Sequence, residues 1–90
     1  MTSVLDLRLG VAPQVSVRPE RFGALLYHFG TRRLSFLKDR RLLEVLERLD
    51  GSPTARAACD SAGVGEAALP AFERALERLV ETDMLQERRS

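Results

Sequence analysis

Residues 19–38 read PERFGALLYHFGTRRLSFLK, from Pro19 to Lys38, and the alternation inside this stretch decides the fold. Within 22–29, Leu25, Tyr27 and Phe29 fall on one face of an extended chain, and Leu26 with His28 on the other. A period of two predicts a strand. Gly30-Thr31 breaks the run for two residues, and Arg32-Arg33-Leu34-Ser35-Phe36-Leu37-Lys38 then resumes it. Two such runs around a short glycine-containing break predict a tight β-hairpin. Upstream, Pro19-Glu20 carries turn chemistry and 14–18 is another short alternating run, so the three segments predict an antiparallel meander. Still earlier, Leu5, Leu7 and Leu9 alternate with Asp6 and Arg8. Residues 1–12 are therefore read as an extra strand or an N-terminal tail.

After Lys38 the period changes. Asp39 is a plausible N-cap, Leu42, Leu43, Leu46 and Leu49 follow at helical spacing, and Asp50-Gly51 stops the helix. Ser52 or Thr54 beside Pro53 starts a second, shorter helix through Ala58 and Cys59, ending at Gly63. A third helix starts between Gly65 and Leu69, because Pro70 is tolerated only in or near a first turn. Its apolar stripe is Leu69, Phe72, Leu76, Leu79 and Val80, and it fades around Asp83. Met84-Leu85 is a short closing segment that packs back on the core, and 87–90 is a C-terminal tail. Strands followed by helices, with no repeat and no linker, predict one α+β domain over 13–86. A three-stranded antiparallel sheet followed by three helices is winged helix-turn-helix-like.

Composition narrows the function. The chain has 90 residues, 44% hydrophobic and 30% charged, with a formal net charge of +1. That balance is globular and excludes strong non-specific attraction to polyanions. Residues 1–50 hold nine Lys/Arg against six Asp/Glu, and 51–90 hold five against seven, so the halves are +3 and −2. Cys59 is the only cysteine and His28 the only histidine. Neither an intramolecular disulfide nor a metal knuckle can be built from them. With no phosphate loop and no nucleophile–base pair, a catalytic role is not expected, nor is a cofactor or a metal. No apolar run approaches a membrane span and no secretory signal opens the chain, so the expected location is the cytoplasm.

A hairpin beside three helices also fits a small winged-helix DNA-binding protein, the alternative reading. A recognition helix should be basic where it meets the major groove. The third helix instead carries Glu66, Glu73, Glu77 and Glu81 against Arg74 and Arg78, which opposes binding to phosphates. No nucleic-acid partner is expected. A third class is a purely structural subunit of a larger complex.

Residues 19–38, with the Leu49-Asp50-Gly51 helix end and the helical second half, resemble the peptide chaperones of mycofactocin biosynthesis. These are relatives of the chaperone of pyrroloquinoline quinone biosynthesis, among the recognition elements of ribosomally made, modified peptides. The strong match is to 19–38 and the architecture extends it to about 14–85. The resemblance implies a protein that holds the leader region of a precursor peptide. It presents that peptide to a radical S-adenosylmethionine enzyme, whose iron–sulfur clusters belong to the enzyme. It also implies that the leader adds as a strand to the edge of the third predicted strand and lies against the third helix.

The residues themselves support such a site. An open strand edge can be completed by an extended peptide through backbone hydrogen bonds. Leu34 and Phe36 share one face of the third predicted strand and Leu37 takes the other. One face must meet the core and the other is free for peptide or partner, unless helices cover both. The expected peptide-binding residues are Arg32, Arg33, Leu34, Ser35, Phe36 and Leu37 on the strand, and Leu69, Phe72 and Leu76 on the helix. Phe72 is the expected anchor, because aromatic residues dominate interface hot spots. Arg32 and Arg33 would meet acidic leader residues. A homodimer through the alternating N-terminal segment is left open.

Overall fold

Asp39 fixes the start of the first helix: its carboxylate accepts the Arg41 N–H at 2.8 Å while its own backbone stays extended. The computed structural model describes residues 2–88. Helix α1 (Arg40–Arg48) buries Leu42, Leu43, Val45 and Leu46, with Leu49 just beyond it. Thr54 caps α2 (Ala55–Ser61), its hydroxyl accepting from Ala57 N at 3.1 Å. Helix α3 (Leu69–Glu81) has no side-chain cap and begins with Pro70 in its first turn, where a missing N–H costs nothing.

Both α2 and α3 end in the same way. Val64 N donates to Cys59 O at 3.0 Å and Gly63 N to Asp60 O at 3.0 Å, with Gly63 at φ 82°. After α3, Met84 N donates to Leu79 O at 2.9 Å and Asp83 N to Val80 O at 3.1 Å, with Asp83 at φ 64°. These are Schellman turns, the second with an aspartate where glycine is usual. The second turn drives Met84 into the core and starts strand β5 (Leu85–Glu87).

The main sheet has strand order β2–β3–β4, all antiparallel, from Val15–Glu20, Gly23–His28 and Leu34–Leu37. Its register pairs Leu26 with Val17 on one side and Ser35 on the other, and Leu25 with Arg18 and Phe36. Ala24, Leu26, His28 and Leu37 turn inward against the helices. Gly23 has φ 152°, and a Cβ there would lie 2.0 Å from the Leu37 carbonyl oxygen, so only glycine lets β4 approach. A second, two-stranded sheet pairs β1 (Leu9–Val11) with β5, Leu9 opposite Glu87 and Val11 opposite Leu85. The core joins both sheets and all three helices through Leu9, Leu26, Val45, Leu49, Cys59, Leu76, Met84 and Leu85. Each such leucine is worth about 2 kcal/mol in area removed from water.

The expected α+β order of three antiparallel strands and three helices is present, and four local features differ from the sequence reading. Residues 5–9 are not a strand throughout: Val4–Asp6 form a 3-10 turn capped by Ser3, which buries Leu5. This turn is held by a Ser3–Glu73 side-chain hydrogen bond, by Ala55 N donating to Leu7 O at 2.9 Å and by an Asp6–Arg56 ion pair at 3.2 Å. Pro19 lies within β2 and not in a turn. The β3–β4 connection spans residues 29–33, longer than the two-residue break expected, and Arg32 adopts φ 62°. His28 explains it: its buried ring accepts the N–H groups of Gly30 and Thr31 at Nδ1, each at 3.0 Å. Finally, Glu87 and Arg88 are ordered parts of the fold, while residues 1, 89 and 90 of the expected tails lie outside the described residues.

Candidate functional site

The backbone of β4 presents the open edge of the main sheet. His28 N donates to Arg33 O at 3.0 Å, and this sets the alternation of the antiparallel ladder. Leu26–Ser35 and Ala24–Leu37 are then the hydrogen-bonded pairs, whereas Tyr27–Leu34 and Leu25–Phe36 are not. The N–H and C=O groups of Leu34 and Phe36 therefore point away from β3, toward the free edge.

The other edge of the sheet is less usable. Phe29 N donates to Gln14 O at 2.8 Å, so on β2 the outward-facing residues are Val15, Val17 and Pro19. Pro19 has no N–H, and the N–H of Val15 is already given to Ala12 O at 2.9 Å. An extended peptide would find two ready donors on β4 and one on β2.

Beside the β4 edge runs a groove of about 420 Å³ lined by Ser35, Phe36, Leu37, Lys38, Leu42, Ala75, Arg78, Leu79 and Thr82. Its far wall is α3, on the helical spacing 75, 78, 79 and 82. Floor and walls mix aliphatic contacts with cations at Lys38 and Arg78. Sequence reasoning singled out neither Ala75 nor Thr82, because apolar periodicity highlights the packed stripe of a helix and not the small or polar residues beside it.

The residues expected at the site separate into two groups. Arg32 and Arg33 are exposed in the turn, Leu34 and Phe36 are exposed on the outer face of β4, Ser35 is half-buried in the groove and Leu37 is buried. These share one edge. The three helix residues do not join them. Leu76 is fully buried in the core. Phe72, also buried, lines a different cleft with Asp39, Arg40, Leu43, Glu44, Glu47 and Ala68, and Leu69 lines a recess with Ala57, Asp60 and Val64. Leu79 is the residue of the apolar stripe that reaches the groove.

The remaining chemistry-bearing side chains are structural in their contacts. Cys59 is buried in α2, and burial pushes its thiol above the usual range, opposed in part by the nearby Arg56 cation. The His28 ring is committed to the hairpin turn. Among the described residues no group of His, Cys, Asp and Glu is arranged to hold a metal ion, and no helix is long and apolar enough to cross a membrane.

No solved structure matches the chain. The Peptide chaperone MftB of Mycobacterium tuberculosis (strain H37Rv) is 53% identical over 73 residues, covering 81% of this chain and 67% of that protein. The Peptide chaperone MftB of Mycolicibacterium smegmatis is 54% identical over 72 residues, covering 80% and 71%. That of Mycobacterium ulcerans is 53% identical over 72 residues, covering 80% and 66%. The chain thus spans about two-thirds of the length of these relatives. The family model for the peptide chaperone MftB family matches residues 8–86, from β1 into β5, and the chain belongs to that family.

Proposed function

We propose that this chain binds the leader region of a ribosomally made precursor peptide and delivers it to the radical S-adenosylmethionine enzyme of mycofactocin biosynthesis. The observation that carries the proposal is the β4 edge, where Leu34 and Phe36 turn unpaired backbone groups outward beside an open groove. The leader adds as a fourth strand next to β4, exchanging backbone hydrogen bonds with these two residues. Its alternate side chains then point in two directions, one set into the groove against Ala75 and Leu79, the other toward the outer face beside Leu34 and Phe36. Backbone pairing supplies affinity with little regard to sequence, and the groove supplies selection. Arg32, Arg33, Lys38 and Arg78 border the same strip and favour a leader with acidic residues.

The protein supplies no catalytic group. Its part is to hold an otherwise unstructured segment extended, which moves the ordering cost of the peptide ahead of its encounter with the enzyme. The reading places the encounter in the cytoplasm. Glu77 and Glu81, exposed on α3, favour this reading over duplex binding, because they would face phosphates.

Titration of fluorescently labelled leader peptide, followed by anisotropy, tests the proposal. Saturable binding is expected. Phe36→Pro, which removes an outward N–H without breaking the ladder to β3, should weaken it by about tenfold or more, the loss of roughly one charge-free hydrogen bond and one good contact. Phe36→Val, which keeps the N–H, should weaken it less. Absence of binding by the unaltered protein, or equal affinity for Phe36→Pro, would sink the reading.

A further inference from the structure

Among the described residues, none covers the outer face of the main sheet. On this face β3 places Leu25 and Tyr27, and β4 places Leu34 and Phe36, with Phe22 and Phe29 at the ends of β3. Phe22, Phe29, Leu34 and Phe36 are 46, 63, 56 and 60% exposed, the four large exposed hydrophobics among the described residues. They gather on one side of one sheet. The rings are paired with each other, Phe22 with Phe36 at 6.1 Å between centroids and Tyr27 with Phe29 at 5.1 Å edge-on. A contiguous exposed apolar face of this kind marks an interaction surface.

The charges around it identify what it takes. Arg18 lies on the face opposite Leu25, and Arg21, Arg32, Arg33 and Lys38 are exposed in the turns and strand end that border it. Glu20 is the one acid in these segments and is half-buried, 3.6 Å from Arg18. A second copy of this chain would bring one cationic rim against another, which is unfavourable. Nucleic acid would need open ring faces for stacking, and the rings here are packed edge to face or tilted against their neighbours. An acidic protein surface with aliphatic and aromatic residues at its centre satisfies both the apolar middle and the basic rim.

We propose that this outer face, centred on Leu25, Tyr27, Phe29 and Phe36, is the surface by which the chain docks on its modifying enzyme, against an apolar patch rimmed by acidic residues. The inference rests on the adaptor reading above and adds where the enzyme sits. The face and the β4 edge are adjoining but distinct: Arg18 and Phe29 lie toward β2 and the strand ends, whereas the peptide adds beyond β4. A leader bound at β4 widens the sheet and contributes its own outward side chains to the face. The enzyme can then bear on chaperone and peptide together.

The test uses the full chain, the radical S-adenosylmethionine enzyme of the same system, and the leader peptide. Arg18→Glu changes the face on β2, the strand farthest from the β4 edge, and Phe29→Ser changes it at the end of β3. Each should weaken binding of the enzyme by tenfold or more in surface plasmon resonance and leave peptide affinity within twofold, with the melting temperature checking that both variants fold. Equal enzyme affinity for both variants overturns the docking face while leaving the adaptor reading intact. So does loss of peptide affinity in parallel, which would make this face part of the peptide site. Sedimentation showing a dimer that Phe29→Ser dissolves, or binding of a single-stranded oligonucleotide that Arg18→Glu abolishes, overturns it in favour of another occupant. Failure of the unaltered chain to bind either enzyme or peptide overturns both proposals together.

Discussion

Arg88 donates from Nη2 to the main-chain oxygen of Leu49 at 2.9 Å, just past the end of α1. The same guanidinium reaches Ser52 O at 2.7 Å, Asp50 O at 3.1 Å and Leu9 O at 2.9 Å. One cation thereby satisfies carbonyls left over at a helix C-terminus and ties them to β1. Arg88→Ala should cost about 2 kcal/mol of unfolding free energy, given a net worth near 1 kcal/mol for each well-made bond and partial replacement by water. Arg88→Lys should recover less than half, because an ammonium has no planar fork. Urea denaturation of the three proteins checks the order.

Gly23→Ala should be among the most damaging single-methyl additions in the chain. The new Cβ meets the Leu37 carbonyl at 2.0 Å, and φ 152° is closed to alanine. Relief requires β4 to move off β3, so the expected loss is about 3 kcal/mol or more, accompanied by weaker peptide binding. Thermal unfolding and peptide titration of the same variant would show both; a melting point within a degree or two of the parent would contradict the close approach.

Asp83→Gly should stabilise the protein by about 1 kcal/mol, since glycine accepts the left-handed conformation that Asp83 holds at φ 64°. The Asp83 side chain makes none of the hydrogen bonds that define the turn, which are main-chain bonds to Val80 O and Leu79 O. A rise in the urea midpoint with unchanged slope is the expected result.

Leu76→Ala and Ala75→Trp, neighbours on α3, should behave oppositely. Leu76 is fully buried, so its truncation should cost about 3 kcal/mol and change peptide affinity little in the folded fraction. Ala75 lines the groove beside β4, and an indole there fills it. Peptide affinity should fall about tenfold with a much smaller change in stability. Denaturation and anisotropy on each variant separate a packing residue from a binding one.

Alkaline pH should destabilise the protein through Cys59. Burial raises the thiol pKa in the folded state, so above the unfolded value, about 8.5, the unfolded chain releases a proton that the folded chain keeps. The contribution is fully present below that pH and is lost as pH rises through the folded pKa. Cys59→Ala should flatten the decline between pH 8 and 10, whatever it costs at pH 7. Parallel curves for the two proteins would exclude the linkage.

The parts of the fold that sequence exposes are those where one local signal has one outcome. Asp39 and Thr54 announce helix starts because their short oxygens satisfy free N–H groups, and the 22–29 alternation leaves a strand as its only economical form. Leu5, Leu7 and Leu9 gave no such choice. Their alternation with charges fits a strand, yet Ser3 and Glu73, far apart in sequence, hold Val4–Asp6 as a turn. Pro19 reads as a turn residue, and its place in β2 depends on facing away from β3, which only the ladder determines. The edge of β4 was legible because Leu34 and Phe36 alternate with Leu37. The helix wall of the groove was not. Phe72 and Leu76 stand out by size, and the residues that line the groove, Ala75, Arg78 and Thr82, stand out only once α3 has been rotated into place.

The pairing of β1 with β5 has a consequence for how the chain is made. Leu9 and Val11 find their partners only when Leu85 and Glu87 have left the ribosome, so the first strand of the fold waits for the last. Until then Leu5 and Leu9 have no β5 and no Met84 to pack against. Translation can lay down the β2–β3–β4 meander and α1 in turn, but the two-stranded clasp cannot close co-translationally before the end of α3 is free. A product stalled before Met84 would present Leu5 and Leu9 to proteases, so quality control of this domain falls on the segment from Met84 to Glu87.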